Sequence, residues 1–305
     1  MFDAWLVSAR LAQYLGLMSG FGLAVFVLHA LQREHAGASI TMRVLRVAGA
    51  ASAVALVASL FGLWAMARSM SDGSAAGTWT TAQTLLTHTT VGTTWIIRVV
   101  LLIAIIGIAG LRFEPRRRIA TVAVLGAGAL ATLAWTGHGA MSEGALAWVH
   151  LAVDIAHLVA AGAWIGALLA LILIARHTRG GTDDETVRLL AATSSGFAGL
   201  GSIIVATLVV TAIVNYVLVV GPTVSQVITT PYGWLLLTKL ALFAGMLVLA
   251  SANRFRFVPA LVRAFRDNDT PVAVATLRRS LWTEASLALA VLAVVSWLGG
   301  LNPTE

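Results

Sequence analysis

A chain of 305 residues that is 59% hydrophobic and 11% charged, with mean hydropathy +0.89, is excluded from the ordinary soluble domains, which carry about a quarter charged residues. At ~20 apolar residues per crossing, this length holds roughly seven to nine membrane helices and leaves no room for a separate soluble catalytic domain. The formal net charge of +7 would suggest nucleic acid in a soluble protein. Here the basic residues fall between apolar runs, so they report topology and no nucleic-acid partner is expected. The chain has no cysteine, which excludes thiolate metal sites, disulfides and cysteine nucleophiles and leaves soft-metal chemistry to His and Met.

The first apolar run, Trp5 to Leu31, lacks the basic start of a cleavable signal and is too long for one, so it reads as a retained span. In chain order the predicted spans lie near 5–31, 44–67, 94–111, 119–137, 146–175, 193–220, 233–253 and 280–301. The fold class is therefore an all-α integral membrane protein, a single bundle of eight transmembrane helices over residues 1–305 with both termini on one side. The longest connections, 69–92 and 254–279, are too short to be domains. The second reads as an amphipathic stretch lying on an anionic inner leaflet.

The connections also give orientation. Those after spans 1, 3, 5 and 7 hold sixteen of the twenty basic residues, whereas the opposite side holds only Arg68. By the positive-inside rule both termini face outward, toward the periplasm of a bacterial inner membrane. Eight of the ten tryptophans then fall near the outer interface, from Trp5 and Trp64 to Trp234 and Trp297.

Ionisable residues inside spans are costly, and each is a functional candidate. The densest set is on span 5, where His150, Asp154 and His157 stand at i, i+4 and i+7 on one helix face. At 1.5 Å rise per residue the two histidines are ~10 Å apart along the axis, so a single ion cannot bind both directly. Asp154 reaches either as a ligand or as the acceptor that fixes an imidazole tautomer. Two stations along a path, one site completed by other helices, and a structural hydrogen-bond ladder all fit this spacing.

On the same side lie His138 and Met141 in the run GHGAMSE, His88 before span 3, and Met66 and Met70 at the end of span 2. Imidazole and thioether suit cuprous ion, imidazole and carboxylate cupric ion, so a copper ion of unspecified oxidation state is the expected cofactor. Met18 and Met246 near mid-membrane either continue a path inward or simply pack. The remaining buried polar residues read as supporting. Arg98 and Lys239 snorkel or neutralise Asp154, Glu284 forms an ion pair with Arg254 in preference to acting as a proton site, and Asn215 makes a helix–helix hydrogen bond. Gly16 with Gly20, and Gly162 with Gly166, read as small-residue packing motifs.

The runs HLVAAGAWIGALL (His157 to Leu169), TTPYGWLLLTKLAL (Thr229 to Leu242), ANRFRFVPAL (Ala252 to Leu261) and RRSLWTEASL (Arg278 to Leu287) resemble the copper-resistance protein D (CopD) family of bacterial inner-membrane proteins. GHGAMSE and TTVGTTWIIR (Thr89 to Arg98) fit as well. The resemblance is specific over spans 5 to 8 and looser before them. It implies a role in copper homeostasis, moving copper from the periplasm across the inner membrane, with a periplasmic copper-binding protein of the CopC type as donor. Its pattern falls on His138, Asp154, His157, Trp164, Tyr232, Gly233, Lys239, Asn253, Arg254 and Glu284.

The leading expectation is a copper-handling permease that receives copper at His88, His138 and Met141 and passes it to His150, Asp154 and His157. It has no ATP-binding Gly-rich loop with Lys, and no enzyme activity is expected. Two other readings stand beside it. One is a b-type cytochrome with paired histidines on haem, for which no obvious second histidine faces span 5. The other is a non-transporting factor that hands copper to an oxidase.

Overall fold

The computed structural model describes residues 4–30, 37–111, 114–136, 144–177, 184–219, 221, 230–267 and 270–301. Helices α1 (Ala4–Ala30), α2 (Gly37–Ser69), α3 (Ala75–His88), α4 (Thr90–Gly110) and α5 (Pro115–Ala131) come first, with a 3-10 turn at Thr132–Thr136. Then follow α6 (Gly144–His177), α7 (Asp184–Val219), α8 (Pro231–Ala252), a π-helical turn at Asn253–Phe257, α9 (Val258–Arg266) and α10 (Pro271–Leu298). No strand occurs among the described residues. Eight of these segments are long and apolar enough to cross a membrane, and they match the eight spans read from hydropathy. The protein is an all-α integral membrane protein.

Local chemistry sets the helix starts. Ser74, Thr89 and Thr230 accept backbone N–H groups three residues on, at 2.9, 3.0 and 3.1 Å, which satisfies donors that the first turn leaves orphaned. Pro115, Pro231 and Pro271 stand in first turns, where a missing N–H costs nothing. The 69–92 connection is more ordered than a Ser/Thr/Gly-rich composition suggests, because Ser74 caps α3 and Asp72 accepts the Ser74 amide at 2.9 Å. Hydrogen bonding from Ser74 holds the Asp72 carboxyl below the usual carboxylate range.

The centre of the bundle is α1, which packs on α2, α5, α6 and α10. Glycines allow that close approach. A Cβ on Gly22 would collide with the carbonyl oxygen of Gly162, and one on Gly166 would collide with the backbone of Gly22. A Cβ on Gly16 would lie 2.6 Å from the Ala51 oxygen. In lipid, helices associate by van der Waals packing rather than by hydrophobic burial, so these contacts matter more than side-chain bulk.

In the second half α7 packs on α6 and α8 on α10, and the wedge between the pairs is a cavity of about 820 Å³ lined by α6, α7, α8, α9 and α10. Its floor is the π-helical turn. Pro259 cannot donate to the Phe255 carbonyl and crowds it. The chain widens one turn earlier, with the Val258 N–H bonding Asn253 O, five residues back. The expected surface stretch at 254–279 is thus, over its first part, a direct continuation of α8 into the amphipathic α9. Its last part belongs to α10, which begins at Pro271 rather than near residue 280.

Candidate functional site

Two polar stations lie on one stripe of α6. His150, Asp154, His157 and Trp164 recur at i, i+4, i+7 and i+14, so the same face carries them from the tryptophan-bearing end toward the arginine-rich end.

The first station joins α6 to α7. His150 is 2% exposed, and its Nε2 stands 4.0 Å from Asp154 Oδ2. The other carboxylate oxygen of Asp154 accepts the Asn215 amide at 2.7 Å. His157 Nδ1 meets Thr211 Oγ1 at 2.8 Å. The Thr211 hydroxyl has a single proton, which it donates to the Thr207 carbonyl at 2.6 Å. Thr211 therefore accepts from His157, which assigns the proton to Nδ1 and makes Nε2 the lone-pair nitrogen. A metal-ligating imidazole is fixed in this same way by an outer hydrogen bond. Lys239 and Tyr232 on α8 and Tyr14 on α1 lie within electrostatic reach of Asp154. The helix–helix hydrogen bond expected of Asn215 is present, with Asp154 as its acceptor.

The other predicted ligands are spread out. His88 ends α3 with its side chain exposed, Met70 is 64% exposed, and Met66 is half-buried. Met18 and Met246 are buried in the apolar core. His138 and Met141 lie outside the described residues. Among the described residues, no three His, Asp or Glu side chains come together as a metal site.

Two expectations are corrected. Arg98 does not snorkel. It is 2% exposed, and its guanidinium donates to Thr132 Oγ1 at 2.7 Å and Thr132 O at 3.0 Å, because the 3-10 turn ending span 4 presents oxygens beside it. Glu284 does not pair with Arg254. With α10 starting at Pro271, Glu284 sits at mid-helix and 2% exposed, while Arg254 points across to Ala198 O and Ser202 Oγ on α7.

Glu284 forms the second station instead. Its Oε1 accepts Trp164 Nε1–H and its Oε2 accepts Asn253 Nδ2–H, each at 2.8 Å. All three residues line the cavity. The family resemblance marks Trp164, Asn253 and Glu284 without joining them to one another, and sequence reasoning missed the Thr211 partner altogether. A readable signal for Thr211 existed, since Thr207, Thr211 and Asn215 recur every four residues on an otherwise aliphatic α7.

Two family models match the chain: Copper resistance protein D-like, N-terminal domain, over residues 1–149, and Copper resistance protein D over residues 191–298. A protein named Copper resistance protein D from Pseudomonas syringae pv. tomato is 41% identical over 99% of this chain and 98% of its own length. Inner membrane protein YebZ from Escherichia coli (strain K12) is 28% identical over 71% of this chain and 70% of its own. No solved structure matches.

Proposed function

The chain belongs to the copper resistance protein D family, and from that premise we propose that it is a copper-handling permease of a bacterial inner membrane, with both termini in the periplasm. Copper enters at the tryptophan-bearing end, received by His88, His138 and Met141, and passes to His150, Asp154 and His157. A periplasmic copper-binding protein of the CopC type is the proposed donor. The chain is not an enzyme in this reading, and movement follows a gradient or couples to a second ion.

The observation that carries the reading is His157. Thr211 Oγ1 accepts a hydrogen bond from its Nδ1–H, so Nε2 presents a lone pair, on the same stripe as the His150–Asp154 pair at 4.0 Å. Imidazole nitrogens and one carboxylate form a donor set suited to copper. Orientation is supported by the arginine asymmetry, since sixteen basic residues lie in the connections opposite the ladder.

The test is copper content of cells expressing wild type, His157→Ala and Asp154→Asn at matched membrane levels. Both variants should accumulate less copper than wild type. Equal accumulation and equal copper sensitivity would remove the ladder from the path. Tight binding by purified protein with background uptake into liposomes would instead favour a non-transporting copper-delivery factor. A Soret band in the purified protein would support the cytochrome reading.

A further inference from the structure

We propose that Glu284 is a proton-binding site, reached through the α6–α7–α8 cavity from the arginine-rich end, and that Asn253 is built to serve both of its protonation states.

The argument begins with charge. Glu284 is buried at mid-helix, and both its oxygens are held by neutral donors, Trp164 Nε1–H and Asn253 Nδ2–H. Its neighbours on every packed element are uncharged or turned away; on α1, which also packs on α10, Arg10 lies beside Gly299 and Gly300 at the far end of α10 and His29 is exposed. From the π-helical turn, Arg254 is directed to Ala198 and Ser202 on α7. From α9, Arg263 lines the cavity with its side chain exposed. On α6, Arg176 stacks over the Trp282 ring at 5.8 Å. Arg278 and Arg279 lie more than a turn away on α10 itself, α8 contributes only Lys239 in the other station, and α7 presents Ser194 and Ser195. A carboxylate buried without a cation is costly enough that it takes up a neutralising partner.

The donor set selects a proton over a metal ion. Two N–H groups already point at the carboxylate, which repels a cation seeking several oxygens at once. A proton needs one lone pair.

Asn253 supplies the second observation. It is 9% exposed, and its Oδ1 is buried with no hydrogen-bond partner among the described residues. With Glu284 ionised, the Asn253 amide donates through Nδ2. When Oε2 gains a proton, a half-turn of the amide presents Oδ1 to accept from the new O–H, while Trp164 continues to donate to Oε1. The π-helical turn places Asn253 here, so the widening ahead of Pro259 and the proton site share a single origin. The 820 Å³ cavity provides the route for water.

The site stands apart from the copper reading, and only its coupling to copper rests on that reading. The experiment is an infrared pH titration of the full-length protein in lipid, without copper, for wild type, Glu284→Gln and Asn253→Leu. Wild type should show a carboxylic-acid C=O band that grows as pH falls and is absent from Glu284→Gln. In Asn253→Leu the band should shift in frequency and in midpoint, because one donor to the ionised form and one acceptor for the acid are lost together. Glu284→Gln preserves the shape and an amide that bonds Trp164 and Asn253, so it reports chemistry rather than folding. A spectrum with no Glu284 acid band at any pH where the helix content persists would overturn the site. An Asn253→Leu band identical to wild type would overturn the amide's role. A second arm measures copper-driven proton flux in proteoliposomes. Copper uptake without proton movement would overturn coupling, whereas no copper uptake in any variant would strike at the permease reading and leave the titration standing.

Discussion

Asn215 donates its side-chain amide to Asp154 at 2.7 Å, across sixty-one residues of sequence and the α6–α7 interface. The bond does two things at once: it joins two lipid-embedded helices and it fixes the orientation of the carboxylate that faces His150. Interhelical hydrogen bonds in membranes average about 0.6 kcal/mol and rarely exceed about 1.7 kcal/mol. Asn215→Ala should therefore lower the unfolding free energy in mild detergent by roughly that much and leave the fold intact. Copper affinity should fall further than stability does, because an orienting partner of a ligand is commonly worth about 10–100-fold in metal affinity. Unfolding curves and copper titrations on the same sample separate the two effects, and an unchanged affinity would make the bond purely structural.

The His157–Thr211 bond makes a sharper case, since it decides a tautomer. Thr211→Val is close in shape and removes the acceptor for Nδ1–H. The imidazole then samples both tautomers, and copper binding should weaken by about 10-fold or more while helix content is unchanged. Thr211→Ser keeps the hydroxyl and should restore most of the affinity. If valine and serine behave alike, the hydroxyl has no part in holding the ring.

Spans, their number and the polar stripe on α6 were legible in the sequence because they depend on residues within one helix: apolar length and i, i+4, i+7 spacing. The partners were less legible. Asn215 stood out as polar on an aliphatic helix, yet nothing in its spacing names Asp154 as its acceptor. Glu284 was assigned to Arg254 because the two lie near the same end when α10 is started at residue 280. The structure extends α10 back to Pro271, which puts Glu284 at mid-helix, and inserts a π turn at Asn253, which rotates side chains there relative to a simple helical count. Hydropathy places a span's apolar middle well and its polar ends poorly, because arginines at 278 and 279 can ride on a helix that has not yet entered lipid.

Arg98 and Thr132 illustrate a charge held, among the described residues, by neutral oxygens. The guanidinium makes two bonds to a single residue, one to the hydroxyl and one to the carbonyl. Thr132→Val removes the hydroxyl and leaves a buried N–H of a charged group short of an acceptor. The expected cost is about 1–3 kcal/mol, read as a lower midpoint in chemical denaturation. Arg98→Met removes the charge together with its need for partners and should cost less than Arg98→Lys, whose compact ammonium cannot span both oxygens. The reverse order would mean that the charge itself contributes to stability.

The α1–α6 crossing gives a prediction with an internal control. Gly22 lies so close to Gly162 and Gly166 that a methyl group on Gly22 or on Gly166 would overlap backbone, and backbone has no rotamer with which to yield. Gly22→Ala must push the helices apart and forfeit the dispersion contacts of the α1–α6 interface. Gly107 on α4 meets nothing within 4 Å, so Gly107→Ala adds a methyl group to open space and should be neutral or slightly stabilising, since alanine favours a helix over glycine by about 1 kcal/mol. Gly20 is intermediate, with Ser52 Oγ at 3.4 Å from its virtual Cβ. The melting temperatures in detergent should therefore run Gly107→Ala at or above wild type, Gly20→Ala near it, and Gly22→Ala well below it. Thermal stability that is the same in Gly22→Ala and Gly107→Ala would show that α1 and α6 do not approach this closely in the membrane.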